Sequence, residues 1–150
     1  MNEFELNLNN MLVKTFHYIL KYEEDSLKNI LSVPITIAEA HMIEAVGKQD
    51  KQEATVSGVA SLLNIAMPTA TVSVKKLESK GFIEKKPCAK DARRTIISLT
   101  DMGRKVEKVH RLFHEKMVKN ISRQFEDAEK EILLRAVKTL SEFFRVRVEV

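Results

Sequence analysis

The sequence predicts a mainly α-helical chain with one small β-hairpin, on three observations. Apolar residues recur at three- and four-residue intervals through most of its length, the signature of helices with one buried face. Two β-branched runs, residues 82–86 and 95–99, flank the polar loop KKPCAKDARR, which reads as a hairpin. Helix punctuation (Pro34, Gly47, Pro68, Gly81) cuts the chain into pieces of ordinary globular length. With 150 residues, 44% of them apolar, the chain suffices for one domain with one core.

The first helix is expected over residues 4–31, with Leu12, Val13, Phe16, Ile19, Leu20 and Leu27 apolar. Val33-Pro34 breaks it, because proline disfavours helix in the residue before it. Thr36 with Glu39 three residues on forms a capping box for a second helix over 37–46, closed by Gly47. The polar link KQDKQEA leads to Thr55-Val56, read as a short edge strand. Thr55 or Ser57 then caps a third helix that buries Val59, Ala60, Leu62 and Leu63.

Asn64 tolerates the left-handed backbone of a tight inter-helix turn. Pro68 fits only the first turn of a helix, which places the fourth helix at 67–79, stopped by Gly81. Ala70, Val74 and Leu77 form its buried stripe. Opposite stand Thr69, Thr71, Val72, Ser73, Lys75, Lys76 and Ser79, with Glu78 the one acidic residue. After the hairpin, Thr100 caps a helix over 101–125 with Val106, Val109, Phe113, Met117, Ile121 and Phe125 inward. A last helix over 127–147 carries Ile132, Leu133, Val137, Leu140, Phe143 and Phe144.

Two short helices joined tightly and followed by a basic-tipped hairpin define a winged helix-turn-helix, a module that sets one helix in the DNA major groove. On that helix Pro68, Thr69, Thr71, Val72, Lys75 and Lys76 are expected at the DNA. Hydroxyls reach base edges or phosphates, valine meets a thymine methyl, and lysines neutralise phosphate. On the hairpin Lys86, Lys90, Asp91, Arg93 and Arg94 form the wing, whose cations suit a narrow minor groove. Charge follows the same division. Residues 55–104 hold nine Lys/Arg against four Asp/Glu, and the remainder 16 against 17.

The flanking helices, about 4–31 and 105–147, are too apolar to stay uncovered around a lobe of about 36–104. They are expected to pair two copies, placing two recognition helices roughly 34 Å apart on a palindromic double-stranded operator. No apolar run reaches the ~18–20 residues of a membrane span. The N-terminus is acidic where a secretory signal would be basic, and Cys88 stands alone, so a cytoplasmic location is expected. Cys88, beside Lys86 and Lys90, is a candidate reactive thiol, although an incidental role is favoured. No nucleophile motif or glycine-rich phosphate loop is present, so an enzyme is not expected and no cofactor is required.

Leu77-Glu78 with Gly81, Asp91 with Arg93, and Leu99-Thr100 with Gly103 occur in order. This spacing resembles the MarR family of bacterial winged-helix repressors, and the resemblance extends in helix order over the whole chain. It implies that Asp91 holds Arg93 in the wing. Two departures stand out: Ala66-Met67 where many members begin the recognition helix with Ser, and Val72 where many carry Arg.

His110 and His114 share a helix face, a metal half-site. With Glu23 and His41 they resemble the zinc site of zinc-responsive members, making zinc a candidate ligand. TIAEAHMI and RLFHEKMV resemble the fatty-acid-synthesis repressors, which implies a small-molecule, acyl-chain or acyl carrier protein effector. The family architecture suggests a pocket at Phe16, Leu20, Met42, Phe113 and Met117. Two rivals stand beside this reading: a metal or redox sensor with a secondary DNA role, and a helical interaction protein.

Overall fold

A computed structural model describes residues 1–31, 34–49, 53–89, 91 and 94–148, with the side chain of residue 148 excepted. Its elements are α1 (Glu3–Ile30), α2 (Ile37–Gln49), α3 (Val56–Leu63), α4 (Met67–Ser79), β1 (Ile83–Pro87), β2 (Thr95–Leu99), α5 (Asp101–Ser122) and α6 (Asp127–Val148). This is the mainly helical chain with a small two-stranded wing that the sequence predicts. The chain divides into two compact units, Met1–Phe113 and His114–Val150.

In the first unit the core gathers Leu27 and Leu31 from the end of α1, Ile43 and Val46 from α2, and Val59 from α3. Val74 and Leu77 of α4, Phe82, Ile83, Ile97 and Leu99 of the wing, and Val106 of α5 complete it. The strands pair antiparallel in the register Ile83↔Leu99 through Pro87↔Thr95. Val33, expected to break the first helix, lies outside the described residues; α1 ends at Ile30 with Leu31 as its cap.

Local chemistry explains most boundaries. Asn2 and Glu5 make a reciprocal capping box at the start of α1 (2.9 and 2.8 Å), and Thr36 and Glu39 do the same for α2 (3.2 and 3.0 Å). Thr55 is extended and its hydroxyl accepts from the Gly58 amide at 3.1 Å, so it caps α3. Asn64 closes α3 in the left-handed region at φ 51°, ψ 48°.

Several expectations are corrected. Gly47 does not end α2; the helix runs on to Gln49, and Gly47 lies where Leu99 and Glu107 pack 3.2 Å from where a Cβ would stand. Thr55-Val56 is not an edge strand, because capping claims Thr55. The neighbouring Ala54 carbonyl accepts one backbone bond from the Ile97 amide at 2.8 Å, beside strand β2. Leu62 is half exposed rather than buried. Strand β1 begins at Ile83, with Phe82 buried just before it, and α5 ends at Ser122 rather than residue 125.

The spaced glycines acquire physical reasons. Gly81, at φ +78°, takes a backbone conformation that side chains rarely adopt. At Gly103 a Cβ would stand 2.1 Å from the Phe82 carbonyl oxygen, so only glycine lets α5 start against the wing. Thr100 locks the same junction. Its hydroxyl donates to the Gly81 carbonyl at 2.7 Å and accepts from the Gly103 amide at 3.1 Å. The second unit holds the end of α5 and the whole of α6, whose Ile132, Leu134, Val137, Phe143, Phe144 and Val146 are exposed.

Candidate nucleic-acid interface

Helix α4 buries Ala70, Val74 and Leu77 completely. At 3.6 residues per turn that stripe dictates the opposite face, which presents Pro68, Thr69, Val72, Lys75, Lys76 and Ser79 to solvent. Val72 is 67% exposed, so its methyls are free to meet an apolar group on a partner. The Thr71 hydroxyl donates to the Met67 carbonyl at 2.9 Å, and its oxygen keeps acceptor capacity. Ala66 gives no side-chain cap, and Pro68 in the first turn limits the loss by having no amide to satisfy.

Ion pairs hold the helix on both flanks. On one, the Glu39 carboxylate of α2 takes Lys76 Nζ at 3.0 Å and Lys80 Nζ at 2.8 Å. The second Glu39 oxygen accepts from Lys80 at 2.9 Å and from the Thr36 amide at 3.0 Å. On the other flank Lys85 of β1 pairs with Glu78 at 2.7 Å. Burial alone would raise the Glu39 carboxyl. The hydrogen bonds from Lys80, Thr36 and Lys76 outweigh burial and bring it to about 2 from an ordinary 4.5.

In the wing, Lys86 is exposed and pairs with Glu84 at 2.6 Å, a contact that holds the Glu84 carboxyl below its ordinary value. Arg94 and Asp91 are exposed, and the Arg94 amide donates to the Asp91 carbonyl at 2.9 Å, closing the hairpin tip. Lys90 and Arg93 lie outside the described residues. Among the described residues, the side chains of Lys75 and Arg94 pair with no carboxylate. Cys88 is buried at 3% exposure, its thiol 3.5 Å from Glu53 Oε2, a poor position for meeting an oxidant.

A second cluster sits where α1, α2 and α5 meet. Glu23 Oε1 lies 3.3 Å from His41 Nε2 and within hydrogen-bond reach of His110 Nε2. Glu23 and His110 are buried, while His41 is partly open to solvent. Glu44 Oε2 stands 2.9 Å from His110 Nδ1. Among the described residues these three supply ligand atoms all within 4.8 Å of one another. Of the four residues the sequence grouped, His114 belongs to the second unit.

Four of the five pocket candidates, Phe16, Leu20, Met42 and Phe113, lie in the first unit. Met42 and Phe113 are buried in the first unit, Phe113 edge-on to Tyr22 at 5.0 Å. Phe16 and Leu20 are more than half exposed, and Met117 falls in the second unit. Sequence reasoning missed Lys80 and Glu44 entirely and gave Glu39 only a capping role. The signal was present in part: Lys76 and Lys80 lie one helical turn apart and invite a shared acidic partner.

These features define a winged helix-turn-helix of the DNA-reading kind. Residues 33–94 match the MarR family. FabT of Streptococcus pneumoniae, in a crystal structure with DNA, is 30% identical and superposes with a TM-score of 0.86 over 94% of this chain and 97% of that one. A complex of MepR from S. aureus with DNA, at 20% identity, shares the fold with a TM-score of 0.71 over 89% of this chain and 94% of that one. BilQ of Clostridium symbiosum, an HTH-type transcriptional regulator, is 44% identical over 64 residues, 42% of this chain and 44% of that protein. YhjH of Bacillus subtilis is 26% identical over 82 residues, 55% of this chain and 46% of its own length. The chain thus spans a little under half the length of these last two relatives. It belongs to the MarR family, whose members are transcriptional regulators rather than enzymes.

Glu39 makes stability depend on acid in a defined sense. Its folded value is depressed, so its contribution is complete above pH 4.5 and is lost as pH falls toward 2. Glu39→Gln is expected to unfold about 1–3 kcal/mol more easily near neutral pH and to lose less on acidification. Urea unfolding at about pH 7 and about pH 3 checks this; equal losses in variant and wild type would contradict it.

Proposed function

We propose that this chain is a sequence-specific DNA-binding transcriptional regulator, a homodimeric repressor whose operator affinity is tuned by an effector. The observation that carries the reading is the outward face of α4. A proline, threonines, an exposed valine and Lys75 stand together there, with the core stripe fixing their direction. Val72 offers apolar contact to a thymine methyl, and the threonines offer hydrogen bonds to base edges or phosphates. Lys75 on the helix, with Lys86 and Arg94 on the wing, supplies phosphate or minor-groove contact.

Pairing of two copies is supported by surface that a single copy leaves bare. On α1, Phe4, Met11, Val13, Phe16 and Tyr18 are each more than half exposed. On α6, Leu134 at 70% and Ile132 at 58% are similarly open. Faces of this length on a monomer mark an interface. Among the described residues no single helix is long and apolar enough to cross a membrane, and a cytoplasmic location completes the reading.

The test begins with a duplex enriched from a random pool by the wild-type chain. Lys75→Ala and Arg94→Ala are each expected to weaken its binding and to reduce the log–log salt slope by about one per subunit, about two for the dimer. Wild-type slope and affinity in both variants would contradict the assignment.

A second reading has its own observation in favour, the convergence of Glu23, His41 and His110. Two imidazole nitrogens and a carboxylate oxygen suit zinc, with a further position left for another ligand. Glu44 at the far nitrogen of His110 would orient that ring, as second-shell carboxylates do. Bound zinc would join α1, α2 and α5 and so act as an effector on the DNA-reading lobe. Calorimetric titration should give one zinc per chain in the wild type and none in Glu23→Gln/His110→Ala. Identical isotherms would leave the cluster as a hydrogen-bonded helix junction.

A further inference from the structure

Helix α4, its C-cap and the strand beside it carry five lysines, Lys75, Lys76, Lys80, Lys85 and Lys86, yet four of these charges are already engaged, Lys86 by Glu84. Lys85 meets Glu78 across the wing flank at 2.7 Å. Lys76 and Lys80, one turn apart, converge on Glu39 Oε1 at 3.0 and 2.8 Å. Lys80 also reaches Glu39 Oε2 at 2.9 Å and the Pro34 carbonyl at 3.2 Å. The Glu39 side chain is only 8% exposed, whereas Lys76 is 58% exposed and sits at the edge of the outward face.

This asymmetry has a consequence. A buried carboxylate stripped of its cations is left with an uncompensated charge, so Glu39 does not readily release both lysines together. Lys76 is the residue that would otherwise turn toward phosphate. Each lysine on phosphate adds affinity for any sequence, because the backbone carries no sequence information. Withholding lysines therefore raises the share of binding that depends on base edges.

We propose that Glu39 is a positioning residue for recognition, holding Lys76 and Lys80 away from the DNA backbone and so limiting the affinity of α4 for DNA of any sequence. The proposal rests on the DNA-reading role assigned to α4 above. Glutamine at this position keeps the side-chain length and the capping contact to the Thr36 amide while removing the charge that holds the lysines.

The experiment compares a random-sequence duplex with the duplex enriched by the wild-type chain, in a salt series with the full chain. On the random duplex, Glu39→Gln is expected to steepen the log–log salt slope by about one per subunit and to bind several-fold tighter at low salt. The enriched duplex should gain affinity by a similar factor, leaving the enriched-to-random ratio near its wild-type value, because a phosphate contact is blind to sequence. Adding Lys76→Met to Glu39→Gln should return the slope to the wild-type value. Lys80→Met alone, with Glu39 still holding Lys76, should keep the wild-type slope, and this variant tests the idea without disturbing Glu39. A folded Glu39→Gln with unchanged slope and unchanged affinity for the random duplex overturns the proposal, as does a Lys80→Met slope shallower by about one per subunit. A wild-type chain that enriches no duplex overturns the DNA-reading assignment and this proposal with it.

Discussion

The burial of Ala70, Val74 and Leu77 is the constraint from which the recognition surface follows. All three are fully inaccessible, and a helix that seats one stripe so completely cannot rotate about its own axis without exposing it. The opposite face is therefore set by packing rather than by any polar contact of its own. Everything that meets α4 serves this seating: Val59 of α3, Ile43 and Val46 of α2, and Phe82 and Ile83 of the wing share its core. The ion pairs at Glu39 and Glu78 then hold the two flanks. A rigid reading head results, made from side chains that are unremarkable one by one.

Much of this was legible in the sequence, for a physical reason. Elements set by local chemistry stood where expected: the capping box at Thr36 and Glu39, left-handed Asn64, the bounds of α4 between Pro68 and Gly81, and strand β2. Boundaries set by distant partners did not. Gly47 read as a helix stop because glycine usually is one, but its role is spatial and depends on Leu99 and Glu107, fifty residues and more away. Thr55 offered both strand and cap chemistry, and only the position of α3 decides between them. Leu62 follows helical spacing but faces outward, since periodicity alone does not say how wide the buried stripe is.

The functional residues divide in the same way. The outward face of α4 was readable because a single helix carries it. The lysine–glutamate arrangement was not, because Glu39 comes from another element and its capping role already accounted for it. The charge excess of residues 55–104 already counts Glu78 and Glu84, but Glu39, from outside that range, engages Lys76 and Lys80, so the formal excess overstates what DNA would feel. The histidine pattern pointed to His110 and His114 on one helix. The resemblance added Glu23 and His41, and the structure joins both of them, with Glu44, to His110, contacts that no spacing rule contains. Of the two clusters, one holds a flank of α4 against α2 and the other joins α1 and α5 to α2.

The claim that α4 reads the major groove, in two copies, is tested most directly by dimethyl sulfate footprinting of the enriched duplex. The reagent reports guanine N7 in the major groove and adenine N3 in the minor groove. The structure predicts N7 protection in two symmetric blocks about one helical turn apart, with any adenine N3 protection confined to positions beside them, where the wing would lie. Protection of adenine N3 alone, or a single block without a symmetric mate, would contradict it.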